Sequence, residues 1–208
     1  MNKTIIGLVG FIGSGKGTVA SYLVDHYNFQ NISFASNLKD AVSAMFGWPR
    51  HLLEGNTKES REWREHVDTW WAKRLDISHL TPRWVLQNLG TDILRKYFHD
   101  DIWIASLEYK LLEESHSKFV LSDLRFPNEI AMLNKLSGQV WWIQRGQLPE
   151  WSLIDYENFS DLHRHMTKYY PQIHSSEWSW LLGKFNHIIK NDQDIVELHK
   201  KIDQCLQQ

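Results

Sequence analysis

An apolar run, "TIIGLV" at 4–9, leads directly into "GFIGSGKGTVA" at 10–20 and then into a segment with helical spacing. No other stretch limits the fold as strongly. Glycines at 13 and 15 let the backbone turn tightly, so that successive N–H groups face a single anion. The start of a helix adds its positive end, and Lys16 supplies a mobile full charge for the β- and γ-phosphates of a nucleotide. The spacing therefore predicts a strand, a phosphate-binding loop over Gly13, Ser14, Gly15, Lys16, Gly17 and Thr18, and a helix. A chance glycine-rich turn is the alternative, and the strand before it and helix after it argue against that.

Gly17 narrows the chemistry. It has no side chain to ligate Mg²⁺ at the position where GTPases and many ATPases carry Ser or Thr, and Thr18 lies one residue further on. The form "GxxGxGKGT" resembles nucleoside monophosphate kinases such as adenylate kinase. That resemblance implies a Mg²⁺ ion held mainly by nucleotide phosphates and water, with Thr18 or a distant carboxylate such as Asp123 assisting.

Four further β-rich runs follow, "QNISFA" (30–35), "KFVLSD" (118–123), "QVWWIQ" (139–144) and "FNHIIK" (185–190). Segments 15–27, 37–46, 59–75, 83–96, 101–115, 127–136 and 193–206 have helical spacing between them. Thr81 before Pro82 marks one helix start, and Asp100 or Asp101 marks the next. Alternating strands and helices predict an α/β chain with a mostly parallel sheet covered on both faces. We read a single kinase-type domain over 1–208, interrupted by a charged, aromatic insertion at 47–80 and a His-rich one at 146–180. Both are expected to be flaps over a site, with packing or dimerisation as the competing role for the second.

The formal charge of −2 gives no basic surface for coating a nucleic acid. One cysteine, Cys205, excludes an intrachain disulfide and fits a reducing cytosol. No segment reaches the roughly 18 apolar residues that span a bilayer. The chain is expected to be soluble and cytoplasmic. Eleven tryptophans are many for 208 residues, and packing is the expected role for most.

Two other stretches carry chemistry. In "KFVLSDLRFPNE" a buried strand ends at Asp123, where a carboxylate orients Mg²⁺-bound water or contacts an acceptor. Arg125 reaches for the same mouth, and Glu129, four residues on, is placed to fix it. In "TPRWVLQNLGTDILR", Arg83 and Gln87 share a helix face. A guanidinium there takes a phosphate bidentately while an amide reads a base edge; a solvated helix face explains the spacing equally well. Gly90 interrupts the helical pattern and needs a packing or close-approach reason.

In order, "GFIGSGKGT", "FASNLKDA", "SREW", "TPRWVLQNLGTDILR", "DDIW", "LSDLRFPNE", "QRG" and "HSSE" resemble the bacteriophage-type deoxynucleoside monophosphate kinases. The matching segments run from residue 4 to about 192. The resemblance implies an adenylate-kinase-like P-loop NTPase fold with strand order 2-3-1-4-5 and ATP at Gly13 to Thr18. It implies a deoxynucleoside monophosphate acceptor among the loop, Arg61, Arg83 and the Gln87–Thr91 region, which includes Gly90 and Thr91. It further implies that Lys39, Trp103, Asp123 and Arg125 lie near that acceptor, and that Arg145 is a lid-side arginine. Some members carry Asp where this chain has Gly17, and the 151–173 stretch is longer than in some relatives.

The implied reaction is phosphoryl transfer from ATP, with Mg²⁺, and with Lys16, Arg83, Asp123, Arg125 and Arg145 as its catalytic set. The expected partners are small nucleotides, with neither a nucleic-acid polymer nor a membrane, and a homodimer is left open. Competing readings are a dephospho-coenzyme A kinase, disfavoured because "SFASNLKDA" replaces that family's Asp-rich motif, and an ATP-binding regulator without transfer. A DNA- or RNA-handling ATPase lacks its basic surface and length.

Overall fold

The computed structural model describes residues 3–207. Five strands, β1 (Thr4–Val9), β2 (Gln30–Ile32), β3 (Lys118–Leu121), β4 (Gln139–Gln144) and β5 (His187–Lys190), form one sheet in the order β2-β3-β1-β4-β5. Every pairing is parallel, with Ile6 opposite Val120 on one side and Gln139 on the other. The helices are α1 (Lys16–Tyr27), α2 (Ser36–Phe46), α3 (Lys58–Glu65), α4 (Thr69–Leu75), α5 (Pro82–Gln87, continuing through Asn88–Phe98), α6 (Ile102–Glu113), α7 (Pro127–Lys135), α8 (Phe159–Tyr169) and α9 (Ile195–Leu206). The expected α/β class and strand order are thus observed. None of these helices is long and apolar enough to cross a membrane.

The chain divides into two compact units, Met1–Ser33 with Glu114–Gln208, and Phe34–Glu113. The first holds the sheet. Ile6, Leu8, Trp141 and Ile143 pack with Val19 and Leu23 of α1 and with Leu198 and Ile202 of α9, covering one face. The opposite face lies under α7: a Cβ on Gly7 would meet Leu133 Cδ2 at 2.6 Å and Leu124 Cδ2 at 2.8 Å. A central strand buried on both faces explains why β1 reads as a continuous apolar run.

Residues 146–180 have an organised interior. Trp151, Leu162, Met166 and Trp178 are buried together, with Tyr156, Tyr170 and Ile173 against them. Helix α8 within this stretch was not expected, because its apolar positions are few and interleaved with His and Tyr. Those rings serve as packing groups, His165 lying 4.9 Å from Tyr169 and His163 5.8 Å from Trp178 between centroids.

In the second unit, Asp68 explains why the expected helix over 59–75 is two helices. Its carboxylate accepts the N–H groups of Trp70 and Trp71 at the start of α4, and its Oδ2 also accepts the Trp48 indole at 2.7 Å. Its own N–H donates to the Leu80 carbonyl at 3.0 Å. An N-cap needs extended backbone, so α3 has to stop before it. Trp48 is buried and stacks on Phe46 at 4.4 Å. Trp48, Trp103, Trp141, Trp151, Trp178 and Trp180 are all buried, which is the packing use expected for tryptophan here.

Helix α5 starts as expected, with Thr81 Oγ1 accepting the Trp84 N–H at 3.1 Å. It then widens into π geometry from Asn88. The Gly90 carbonyl within the wide stretch accepts the Trp103 indole N–H at 2.8 Å, a side-chain bond into the helical ladder of the kind that accompanies such distortions. Strands β2 and β3 end earlier than the β-rich runs suggest, at Ile32 and Leu121, and β5 begins later, at His187.

Gly10 sits where β1 leaves the sheet, at φ +146°, and a Cβ there would lie 2.3 Å from the Ile143 carbonyl of β4. Neither strand backbone can give way without breaking the ladder. Gly10→Ala should therefore destabilise the protein by at least about 2 kcal/mol, read as a lowered midpoint in thermal or urea unfolding.

Candidate active site

The turn between β1 and α1 has the backbone that an anion cradle requires. Gly13 and Gly15 take φ values of +80° and +102°. Helix α1 opens on Gly15 with no side-chain cap, so its first-turn N–H groups remain open to an anion. A Cβ at Gly13 or Gly17 would meet nothing within 4 Å, which leaves free space above the loop. Ser14 Oγ is buried without a hydrogen-bond partner.

Lys16 folds over this loop. Its Nζ donates to the carbonyls of Gly10 at 2.6 Å and Phe11 at 3.0 Å. Burial, and then the positive charge of Arg125, lower its pKa to about 8, while Glu177 pulls the other way. Thr18 is exposed in the first turn of α1.

The C-terminal end of β3 supplies the next groups. Asp123 Oδ2 accepts the Ser33 hydroxyl. Glu129 is buried, and its Oε2 accepts the N–H groups of Arg125 at 2.7 Å and Phe126 at 3.0 Å. Sequence spacing suggested that Glu129 would hold the Arg125 guanidinium; instead it holds that residue's backbone and the mouth of α7. The guanidinium donates to Glu177 Oε1 at 2.8 Å and to Ser176 Oγ at 3.3 Å. The structure therefore gathers Lys16, Arg125 and Glu177 in one electrostatic group. Arg145 follows β4 and is exposed.

Of the residues expected around an acceptor, Asp123 and Arg125 belong to the first unit, whereas Lys39, Arg61, Arg83, Gln87, Gly90, Thr91 and Trp103 belong to the second. Arg83 pairs with Glu65 at 2.8 Å, both groups well exposed. Arg61 is exposed and donates to the Asn56 carbonyl at 3.2 Å. Lys39 pairs with Glu54 at 2.7 Å, and Glu54 also binds Arg50, which reaches Asp40. Burial would raise the Glu54 pKa, but Lys39 and then Arg50 outweigh it and hold the carboxyl low. Gln87 is exposed on α5, with Thr91 half-buried one turn on. For Gly90 and Trp103 the structure supplies a packing reason. A Cβ at Gly90 would approach Leu38 Cδ2 to 2.6 Å, and Trp103 is 9% exposed with its N–H spent on the Gly90 carbonyl.

No protein-family model matches the chain. A protein of Acanthamoeba polyphaga mimivirus, named as a deoxynucleotide monophosphate kinase, is 35% identical over 155 residues, covering 68% of this chain and 74% of that one. The chain belongs to the deoxynucleoside monophosphate kinase family. The deoxynucleoside-5′-monophosphate kinase of Escherichia phage T5 is 27% identical over 181 residues, covering 64% and 72% of the two chains. Among solved structures, shikimate kinase from Aquifex aeolicus aligns with a TM-score of 0.48 at 15% identity, over 98% of this chain and 96% of that one.

One part of this kinase's loop was not visible in the motif. Asn191, just past β5, is buried, and its Nδ2 donates to the Ser14 carbonyl at 2.9 Å. Its own N–H donates to the Gln144 carbonyl at the end of β4, and the next residue, Asp192, accepts the Gly146 N–H. The β5 exit thus ties together the phosphate loop and the β4 exit. A polar residue directly after a short strand is the only sequence signal it leaves. Asn191→Asp keeps the shape but removes the donor. It should lower stability by about 1–3 kcal/mol in urea unfolding, because a buried carbonyl then faces a carboxylate.

Proposed function

We propose that the protein transfers the γ-phosphoryl group of ATP to a deoxynucleoside monophosphate, giving ADP and a deoxynucleoside diphosphate. The observation that carries this reading is the open glycine loop with Lys16 folded on it and Arg125 close enough to depress its pKa. Family membership supports the choice of acceptor over the dephospho-coenzyme A alternative.

An oxygen of the acceptor phosphate, already ionised near neutral pH, forms the new bond to the γ-phosphorus. The bond to the β-bridging oxygen breaks, and ADP leaves with that electron pair. No group on the protein has to remove a proton. What remains is to bring two polyanions together, and we assign this to cations. Lys16 and the α1 N-terminus hold the donor phosphates, with Gly13, Ser14, Gly15, Gly17 and Thr18 forming the cradle. Arg125 and Arg145 carry developing charge. Arg83 and Arg61 take the acceptor phosphate, Lys39 supports them, and Gln87 with Thr91 faces the base. Arg83 gives up little in exchanging Glu65 for a phosphate, since an exposed pair is worth about 1 kcal/mol or less.

A Mg²⁺ ion fits the oxygen donors present, the Asp123 carboxylate and the Thr18 hydroxyl, both hard ligands. When bound it supplies charge neutralisation between the β- and γ-phosphates. Among the described residues no group of three or more His, Cys, Asp or Glu is placed to hold a metal, which is compatible with an ion carried largely by nucleotide and water. We assign 47–80 and 146–180 the role of shielding the reaction from water, and the cytoplasm as the compartment where these substrates meet. Trp84, half-buried and edge-on to His79, remains available as a wall against a 2′-hydroxyl. An apolar wall of this kind rejects an added hydroxyl by only about 10²-fold.

ADP release from Mg-ATP, with dGMP, dTMP, dCMP, dAMP, their ribose forms and dephospho-coenzyme A as acceptors, tests the reading. Turnover with a deoxynucleotide above its ribose form supports it, and turnover with dephospho-coenzyme A alone refutes it. Lys16→Ala should lower kcat by roughly 10²-fold or more in the same assay.

Proton uptake offers a second check. Free Lys16 loses its proton around pH 8, and a polyphosphate favours the ammonium, so the midpoint moves up on binding. Between the two midpoints ATP binding takes up a proton, and affinity falls as pH rises. Calorimetry in buffers of different ionisation enthalpy should show uptake growing from about pH 7 to about pH 9. Lys16→Ala should abolish the growth.

A further inference from the structure

We propose that Glu177 is a positioning residue for phosphoryl transfer, acting through Arg125, which it and Ser176 hold at the phosphate loop before nucleotide arrives. This rests on the kinase reading above and names a component that neither the loop motif nor the strand-end carboxylate accounts for.

The geometry forms a chain of bonds. His174 sits at the start of a short turn over Ser175–Glu177, and its Nδ1 accepts the Ser176 N–H at 3.2 Å. The same nitrogen lies 2.9 Å from Ser176 Oγ. Because Nδ1 already accepts from a backbone N–H, it carries no proton, so the Ser176 hydroxyl donates to it. The lone pairs of Ser176 Oγ then face Arg125 Nη1 at 3.3 Å, and Glu177 Oε1 takes the same nitrogen at 2.8 Å. From the other side, Glu129 fixes the Arg125 backbone by its N–H. Main chain and guanidinium are therefore each anchored, by residues about fifty positions apart in sequence.

Such anchoring matters because the chemistry has to collect charge on three phosphate oxygens at once. A free arginine loses rotamer freedom when it meets the transition state, whereas one already held does not, and preorganised donors are worth most where water is excluded. The Glu177 side chain is 22% exposed against 42% for Arg125, so the anchor is the less solvated partner. Glu177 also offsets the repulsion between two neighbouring cations. Arg125 lies close enough to Lys16 to weaken its protonation, and Glu177 opposes that effect. These two groups come from the β3–α7 loop and from the turn after α8. The loop carbonyls of Gly10 and Phe11 complete its surroundings.

Glu177→Gln tests the proposal, because it keeps the shape and an accepting oxygen but removes the charge. The expected result is a fall in kcat of about 10- to 100-fold with KM for ATP changed less than about threefold. Glu177→Asp should recover part of kcat. Combined with Arg125→Ala, Glu177→Gln should cost no more than Arg125→Ala alone, as expected for residues acting as one unit. Additive losses would overturn the proposal. So would a lower KM with kcat intact, which would make the carboxylate a competitor of phosphate. Wild-type protein in the same calorimeter and assay separates the two readings. Absence of ATP binding or turnover there refutes the kinase function itself, whereas wild-type activity with an unaffected variant refutes only the role of Glu177.

Discussion

The close approach of the chain at Gly10 and Gly15 to its neighbours, after the exit of β1, is the constraint on which the chemical end of this protein depends. Gly10 faces the Ile143 carbonyl and Gly15 faces the Asn191 amide, each with less room than a methyl group needs. These two contacts let the chain reverse within a few residues and begin α1 without a side-chain cap. They also set what has to surround the loop: β4 on one side, because its carbonyl fills the space at Gly10, and the β5 exit on the other, because Asn191 holds the Ser14 carbonyl. A parallel sheet with β1 at its centre brings those strand ends to one edge. The general tendency of open α/β sheets to bind ligands at the carboxyl ends of their strands has a concrete cause here.

Much of this was legible in the residues. The loop could be read because glycine spacing, a lysine and flanking periodicity all state the same geometry, and β1 and β4 could be placed to the residue because their apolar runs are buried on both faces. The break between α3 and α4 was not legible, since an aspartate in a charged helical pattern looks like any other surface carboxylate until Trp48 and Leu80 are seen to converge on it. Helix α8 was hidden for the opposite reason. Its buried face is only Leu162 and Met166, and the histidine and tyrosine rings around them dilute the hydrophobic periodicity.

The candidate site divides along the same line. Lys16, Asp123 and Arg125 stand at strand ends within motifs of fixed spacing. Their supports, Asn191, Ser176 and Glu177, come from distant sequence and are joined only by the fold. Glu129 shows the risk of reading neighbours by distance along the chain. Four residues from Arg125, it binds that residue's N–H and not its guanidinium, because the start of α7 points the carboxylate back at the chain entering the helix. Gly90 shows the reverse case: a glycine inside a motif expected to face a nucleotide is explained by Leu38 packing against it.

A common electrostatic pattern runs through the protein. Lys16 rests on two carbonyls, Arg125 on Glu177, Arg83 on Glu65 and Lys39 on Glu54. Each of these four cations thus has an acceptor within the protein. The four pairings differ in kind. Arg83 and Glu65 are both well exposed, so their attraction is screened and easily traded. Lys39 is largely buried within a network that includes Arg50 and Asp40, and releasing it would leave Glu54 with one cation fewer in a place where burial already works against its charge. The gradation separates Arg83, whose screened partner is easily exchanged, from Lys39, which its network of acidic and basic neighbours holds in place.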